Sequence, residues 1–331
     1  MTVVTDVEQQ DLASPNVPCV TLVVPVFNEQ DAIGPFLDQI EQLLKTMHDV
    51  AHFDIVFVND GSRDGTELAI RSCMSPDRAI SLVNLSRNFG KEAALWAGLK
   101  YATGDAVIPI DVDLQDDPTI IPEMIAKWRA GAQIVNARRS DRSSDTWIKR
   151  VTAQGFYRVF NAVADQPIPQ DVGDFRLLDR QVVDVLCTLS ERVRLNKALF
   201  GWVGFPTEEV LFERHQRSAG VSTFSYWRLW NMALDGIFAS TTKPLRIWTY
   251  IGSSLALLSF VYAGYLFLRT LVFGVDVPGY ASTVVLILLF GGLNLFAVGI
   301  LGEYIGRILT EVRDRPLYVV RNAYLHQEPD T

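Results

Sequence analysis

The sequence has few cysteines and a deficit of positive charge. Its three cysteines, Cys19, Cys73 and Cys187, are scattered without metal-site spacing, which fits a reducing compartment and small buried thiols. Lys and Arg number 30 against 38 Asp and Glu, a net charge of −8 that argues against nucleic acid as a partner. Residues 1–17 are polar and lack an apolar core, so we predict a disordered lead, no signal peptide and a first domain that stays cytoplasmic.

Two nucleotide-binding signatures are also absent. The chain contains neither GxxxxGK[ST] nor GxGxxG, which disfavours a P-loop NTPase and a dinucleotide-binding dehydrogenase. Hydrophobic residues make up 49% of the chain and concentrate towards the C-terminus. We therefore expect a globular part followed by a membrane part.

Residues 18–137 alternate short apolar runs with helical patterns, whereas residues 138–224 are less regular. The apolar runs are at 19–26, 54–60, 80–85, 106–113 and 133–137, and the helical patterns are at 31–47, 64–73, 91–102 and 119–130. This alternation predicts an α/β fold, a mostly parallel sheet with helices on both faces, which we assign to residues 18–225. In such sheets ligands bind beyond the carboxyl ends of the strands.

Two long apolar segments follow this domain. No charged residue occurs from Ile247 to Leu268 or from Val277 to Gly302, and we predict two transmembrane helices at 247–269 and 280–304 within residues 244–308. Lys and Arg flank the outer ends of this pair, whereas the short connection carries Asp276 and no basic residue. The positive-inside rule then puts both termini, including the tail 309–331, in the cytoplasm.

The segment just before the first span has an amphipathic pattern. Trp227, Trp230 and Leu234 recur at helical spacing, which predicts an interfacial helix over residues 226–243, with a domain-packing helix as the alternative. In the second span Gly302 and Gly306 form a GxxxG pair, which favours helix packing or a homo-oligomer.

The strongest chemical signal is the string DVDLQDD at 111–117, which follows an apolar strand. Asp111 and Asp113 are two residues apart, and neighbouring carboxylates repel each other unless a cation lies between them. Hard cations such as Mg²⁺ or Mn²⁺ prefer oxygen ligands and keep positions open for phosphate oxygens. We predict a metal site at Asp111 and Asp113 with Gln115 as a third ligand; the alternative is a solvated acidic loop.

Six strings occur in a fixed order along the chain. They are PVFNE, VNDGSRDGT, SRNFGKEAALWAGL, DVDLQDD, DVGDFRLLDR and RSAGVSTFS. With the two C-terminal spans, this set resembles the inverting family 2 glycosyltransferases of GT-A fold. The branch that it resembles contains dolichol-phosphate mannose synthase and the bactoprenol (polyisoprenyl-phosphate) glucosyltransferases, and the similarity covers residues 18–322.

The resemblance implies roles for individual residues. Asp174, in DVGDFRLLDR, corresponds to the acidic residue that activates the acceptor. One string departs from the family pattern RxxGxSK, because Thr223 stands where a lysine is expected, and Lys91 or Arg214 then becomes a candidate for holding phosphate. The positions matching nucleotide-sugar ligands are Pro25, Phe27, Glu29, Asp60, Asp111, Val112 and Asp113, and those matching phosphate ligands are Arg138, Arg139, Arg150, Arg217 and Ser222.

The resemblance also implies the reaction. A bacterial inner-membrane enzyme would transfer a sugar, glucose from UDP-glucose as the first choice, to a polyprenyl phosphate such as undecaprenyl phosphate with inversion. GDP-mannose, UDP-galactose and modified arabinose donors stay open. A processive polysaccharide synthase is disfavoured, because the chain lacks QxxRW and further spans. A non-catalytic membrane scaffold is the alternative from another class.

Overall fold

The computed structural model describes residues 17–76, 78–139, 172–189, 191, 196–212, 243–273 and 279–326. Three of the predicted phosphate ligands, Arg150, Arg217 and Ser222, lie outside these residues. So do Thr223, Arg214 and the predicted interfacial helix up to residue 242. Those predictions therefore stay predictions.

An eight-stranded sheet forms the centre of the described domain. Its strand order is β7-β5-β6-β4-β1-β2-β3-β8. Strand β1 pairs in parallel with both β2 and β4, β2 pairs in parallel with β3, and β5 with β7. The strands are β1 Cys19–Val26, β2 His52–Asn59, β3 Ile80–Leu85, β4 Ala106–Pro109, β5 Ile134–Arg139, β6 Val172–Asp179, β7 Thr207–Phe212 and β8 Val320–Tyr324.

Helices cover both faces of this sheet, as the sequence predicts. One face packs against α1, α2 and α4 through residues such as Phe36, Ile70 and Met124. The other packs against α3 and α5 through Leu95 and Val182. The helices are α1 Ile33–Lys45, α2 Thr66–Cys73, α3 Lys91–Tyr101, α4 Ile121–Arg129, α5 Arg180–Thr188, α6 Asn196–Trp202, α7 Lys243–Phe273 and α8 Tyr280–Val312.

Alternation along the central strands explains the two buried faces. In β1, Leu22 and Val24 belong to the first core, whereas Val23 between them belongs to the second. Side chains of a strand point to opposite faces in turn, so a sheet covered on both sides needs apolar residues at every position. This is why VTLVVPV reads as a continuous apolar run.

Some boundaries differ from the sequence prediction. The predicted strand at 106–113 ends at Pro109, and the chain turns at Val112 and Asp113, before Leu114 with its positive φ of 54°. Helix α1 begins at Ile33 rather than at 31, and its N-cap Ala32 makes no side-chain capping bond. By contrast, Asp179 caps α5 by accepting a 2.9 Å hydrogen bond from the Gln181 amide.

Strand β8 was not anticipated from the sequence, which assigns residues 309–331 to a tail. It pairs antiparallel with β3 and so covers the edge of the sheet. The Ser86 amide also donates a 2.8 Å hydrogen bond to the Val319 carbonyl. The chain therefore returns, after helix α8, to the domain that precedes helix α7.

Helices α7 and α8 correspond to the two predicted spans. They are 31 and 33 residues long, and Trp248 of α7 contacts Phe296 of α8 with ring centroids 5.0 Å apart. Large apolar side chains such as Phe260 and Leu295 are more than 70% exposed. Within the described residues, one helical stretch, Leu289–Val312, is long and apolar enough to cross a membrane, and Tyr250–Tyr262 is a shorter apolar stretch.

Candidate active site

The candidate active site lies where parallel and antiparallel strands share one edge of the sheet. Strand β6 pairs antiparallel with β4, with Ala106 opposite Asp179 and Val107 opposite Leu178. Continuing this register beyond the end of β4 sets Asp111 opposite Asp174. The start of β6 thus lies beside the carboxyl end of β4. Ligands bind at the carboxyl ends of the parallel strands in such sheets.

Lys91 joins these two carboxylates. Its Nζ lies 2.7 Å from each carboxylate oxygen of Asp111 and 3.2 Å from Oδ2 of Asp174. Although burial lowers it, the negative charges of Asp111 and Asp174 raise the pKa of Lys91 above its ordinary value. The ammonium is therefore fully charged at neutral pH. Pro25 lines the same small cleft as these three side chains, so the first strand end also reaches the site.

Asp60 fixes the backbone that presents Lys91. Its two carboxylate oxygens accept hydrogen bonds from the amides of Phe89 and Gly90, at 2.7 and 2.8 Å. The side chain is only 2% exposed, and burial raises the pKa of Asp60 while these two bonds and the charge of Arg87 oppose the rise. Asp60 therefore holds the start of α3 in place, and its contact with a nucleotide stays a prediction.

The loops after β1 and β2 are tied to each other. The Asn28 amide donates to Ser62 Oγ, and the Arg63 amide donates to Asn28 Oδ1, both at 2.9 Å. The Glu29 amide donates to Thr66 Oγ1 at 2.9 Å. Phe27 remains 41% exposed beside them, which leaves its ring accessible to a flat ligand such as a base. The predicted nucleotide residues Phe27 and Glu29 therefore lie on a pair of hydrogen-bonded loops, which we call the double loop.

Gly61 allows this double loop to meet a third loop. Its φ is +69°, and a Cβ at this position would lie 2.4 Å from the carbonyl carbon of Arg87. Only glycine tolerates both the left-handed conformation and such close backbone approach. The loops that follow β1, β2 and β3 are consequently packed together at the carboxyl edge.

The residues predicted to hold a metal lie in the turn after β4. Asp113 Oδ1 accepts a 3.2 Å hydrogen bond from the Gln115 amide, and the Gln115 side chain is 5% exposed. The Val112 side chain is buried in the first core, and its predicted contact with the nucleotide sugar stays a prediction. No cluster of three or more His, Cys, Asp or Glu side chains with metal-site geometry occurs among the described residues.

Asp111 and Asp113 nevertheless suit Mg²⁺ or Mn²⁺. Such ions are commonly held by one or two carboxylates together with substrate phosphates, and they do not need an all-protein cage. The position between Asp111 and Asp174 already attracts one positive group, the Lys91 ammonium. The oxygen donors and the charge of the site therefore fit a divalent cation.

Two arginines near the site have protein partners. Arg138 Nη1 lies 3.1 Å from Glu209 of β7, and both side chains are more than 40% exposed. Arg176 is 3% exposed, donates to the Gly173 carbonyl at 2.5 Å, and lies over the Phe200 ring at 3.9 Å. Burial lowers the pKa of Arg176 to about 10, while the charges of Asp174 and Glu92 oppose that fall. Arg176 is thus a fixed cation beside Asp174.

Sequence reasoning predicted Asp111 and Asp174 separately but did not pair them through Lys91. From the sequence, Lys91 was a candidate only as a substitute phosphate ligand. The sequence feature that could have indicated its role is its position directly after Gly90. In the structure Gly90 has φ +98° and Lys91 is the first residue of α3. Arg139 ends β5 on the edge of the sheet that carries Asp111, and its contact with phosphate stays a prediction.

Two protein-family models match this chain. Residues 21–187 match the family described as Glycosyl transferase family 2, and residues 243–308 match the family described as GtrB C-terminal hairpin. The first match runs from strand β1 to helix α5 and so includes six of the eight strands, and the second covers helix α7 and most of helix α8.

Individual relatives extend over nearly the whole chain. A prophage-derived bactoprenol glucosyl transferase of Shigella flexneri is 48% identical over 305 residues, covering 92% of this chain and 98% of the relative. An uncharacterized glycosyltransferase of Synechocystis is 48% identical over 304 residues, covering 92% and 95%. The solved structure of a Pyrobaculum calidifontis mannosyltransferase in complex with GDP-Man and Mn²⁺ aligns at 19% identity with a TM-score of 0.44, covering 91% of this chain and 89% of that one.

Proposed function

The chain belongs to glycosyl transferase family 2, and from this membership we propose that it transfers glucose from UDP-glucose to a polyprenyl phosphate such as undecaprenyl phosphate. Relatives named bactoprenol glucosyl transferase share about half of its residues across 92% of the chain. The observation that carries the proposal is the meeting of Asp111 and Asp174 at the carboxyl edge of the sheet, bridged by Lys91.

The reaction is a displacement at the anomeric carbon. A phosphate oxygen of the acceptor attacks this carbon, the bond to the donor diphosphate breaks, and its electron pair leaves with the nucleoside diphosphate. Attack from the opposite side inverts the configuration. Because a phosphate monoester has its second pKa near 6, roughly nine tenths of the acceptor is already a dianion at pH 7 and needs little base assistance.

Asp174 then has an electrostatic role more than a proton-abstracting one. It lies at the meeting point of β4 and β6, partly exposed to the cleft. There it orients the acceptor and stabilises the positive charge that develops on the anomeric carbon. Lys91 and the buried Arg176 limit the repulsion between this carboxylate and two phosphate-bearing substrates.

A divalent metal would be held by the carboxylates that follow β4. We propose that Asp111 and Asp113 hold Mg²⁺ or Mn²⁺, with the Gln115 side chain as a further oxygen ligand. The ion supplies positive charge against the departing diphosphate. Phe27 and Glu29, on the double loop, are positioned for the base and ribose, and Arg138, Arg139, Arg150, Arg217 and Ser222 remain the proposed phosphate ligands.

The acceptor is a lipid, and the proposed membrane arrangement accommodates it. We propose that segments 247–269 and 280–304 cross the bacterial inner membrane as a hairpin, preceded by an interfacial helix at 226–243. Strand β8 pairs with β3, so the chain after the hairpin returns to the side on which it entered. Both termini are then cytoplasmic, which impermeant labelling of a cysteine placed at residue 5 or at residue 328 in intact cells tests.

A transfer assay tests the reaction. Purified protein in lipid vesicles receives undecaprenyl phosphate and a radiolabelled nucleotide sugar, and the label in the lipid extract is counted. We expect transfer from UDP-glucose to exceed transfer from UDP-galactose, GDP-mannose and a modified arabinose donor. A preference for another donor would mean that the transferred sugar is not glucose. Transfer from none of them would favour the non-catalytic scaffold.

A further inference from the structure

Lys91 differs from the other cation beside Asp174 in its freedom to move. Its side chain is 48% exposed, and an ammonium on a four-carbon stem can rotate between partners. Arg176, by contrast, is 3% exposed and is held by the Gly173 carbonyl and the Phe200 ring. The site therefore contains one fixed and one mobile positive charge.

The mobile charge occupies the carboxylate that a metal also needs. Both oxygens of Asp111 lie 2.7 Å from Lys91 Nζ. A cation that binds Asp111 must therefore displace this ammonium or share the carboxylate with it. Two positive charges at one carboxylate repel each other. In the absence of a nucleotide, Lys91 thus competes with the metal.

A diphosphate changes this balance. It brings several negative charges to the cleft and offers the ammonium a new set of oxygen acceptors. Once Lys91 contacts the diphosphate, Asp111 is released for the metal. The backbone of Lys91 stays fixed during this exchange, because Asp60 holds the amides of Phe89 and Gly90 immediately before it.

We propose that Lys91 couples metal binding to nucleoside diphosphate binding, by occupying Asp111 and Asp174 in the empty enzyme and moving to the diphosphate when the nucleotide enters. This inference rests on the proposed function, which supplies the nucleotide. Its consequence is an order of binding: the metal binds weakly to the empty site and tightly to the nucleotide-loaded one. By linkage, the metal strengthens nucleotide binding by the same factor.

The test measures Mn²⁺ affinity without any turnover. Free Mn²⁺ is followed by its EPR signal during titration of the full-length protein, alone, with uridine and with UDP, and the Mn²⁺–UDP association in buffer is included in the fit. For Lys91→Met we expect Mn²⁺ alone to bind about 5-fold tighter or more, the lower end of typical couplings between sites. The enhancement of Mn²⁺ affinity by UDP should shrink by a similar factor. Uridine, which lacks the diphosphate, should leave the Mn²⁺ affinity of both proteins unchanged.

Lys100→Met is the matched control, because Lys100 is an exposed lysine on the same helix. It should behave like the wild type in every titration. The Tm provides a second readout: Mn²⁺ alone should raise the Tm of Lys91→Met more than that of the wild type, even if the variant is less stable without metal.

The outcomes separate the two proposals. Wild-type Mn²⁺ affinity in Lys91→Met without nucleotide, or an unchanged enhancement by UDP, would overturn the role of Lys91. If UDP fails to bind the wild type at all, the proposed donor is wrong, whereas a tighter Mn²⁺ site in Lys91→Met would still show that Lys91 competes for the carboxylates.

Discussion

Asn84 donates a 2.8 Å hydrogen bond from its side-chain nitrogen to the side-chain oxygen of Asn322, which lies 238 positions later in the chain. Asn84 also accepts a 2.8 Å bond from Asn59, and Asn59 in turn accepts from the Ser62 amide at 3.0 Å. These asparagines occupy facing positions on β2, β3 and β8. A row of amide side chains thus links the C-terminal strand to the loop that carries Ser62.

Removing the last amide of this row should weaken both the fold and the loop. Asn322→Ala removes one of two acceptors of the buried Asn84 side-chain nitrogen, the other being Glu67 Oε1 at 3.2 Å, and the loss of one such bond costs about 0.5–1.5 kcal/mol. We expect a lower Tm and weaker UDP binding, because Ser62 anchors the Asn28 amide. Asn322→Asp keeps an oxygen acceptor and should lose less. Arg321→Ala breaks an ion pair in which Arg321 is exposed and Glu67 is half-buried, and it should cost under about 1 kcal/mol. Equal losses in all three variants would contradict a specific role for the amide.

Asp60 should matter for stability in a pH-dependent way. The Asp60 carboxylate accepts hydrogen bonds from two backbone amides. In Asp60→Asn the side-chain nitrogen, itself a donor, faces one of these two donors, so we expect a lower Tm. Because burial raises the pKa of Asp60 above 3.8, unfolding of the wild type releases a proton between that value and the folded one. Wild-type stability therefore falls as pH rises through this window.

The variant lacks this titration. The difference in unfolding free energy between wild type and Asp60→Asn should thus shrink as pH rises above 3.8 and then stay constant. Urea unfolding at a series of pH values measures it. A difference that grows with rising pH would mean that the hydrogen bonds, and not burial, dominate the pKa of Asp60.

Asp113→Ala should abolish metal-dependent transfer while the protein remains folded. Asp113 lies in the turn after β4 beside Asp111, and two carboxylates next to a diphosphate need a cation. Activity of the wild type should also disappear in excess chelator and return with Mg²⁺ or Mn²⁺. Full turnover in excess chelator would exclude a role for the metal in the reaction. An unchanged rate in Asp113→Ala would exclude a role for this carboxylate. Asp117→Ala removes the carboxylate that caps the next turn at the Thr119 amide, and it serves as the control.

Asp174→Asn should lower kcat by about 10²-fold or more, the lower end of general-base effects, with donor affinity nearly unchanged. If Asp174 acts electrostatically, this loss should persist at pH 8.5, because the acceptor phosphate is already ionised there. If it removes a proton, the loss should shrink. A fall in Tm without a change in kcat would instead make Asp174 a structural partner of Lys91.

Much of the fold follows from local patterns. The apolar run at Cys19–Val26 and the run at Ile80–Leu85 coincide with β1 and β3, because a strand buried on both faces must be apolar at every position. The ordered motifs around Asp60, Asp111 and Asp174 also indicated the family, since this set resembles that of the family 2 glycosyltransferases. Boundaries were less predictable: the run that continues through Val112 crosses a turn in which Leu114 has a positive φ.

The sequence by itself determined the two-sided sheet, the apolar hairpin and the carboxylates that the chemistry needs. Only the tertiary structure decided which of them meet. Asp111 faces Asp174 because an antiparallel strand lies between β4 and β5, and Lys91 joins them because α3 begins at the same edge. Asn322 reaches Asn84 because the chain returns after the hairpin to pair with β3. Such contacts depend on strand order and register between distant segments, and a local pattern of hydrophobicity carries no record of either.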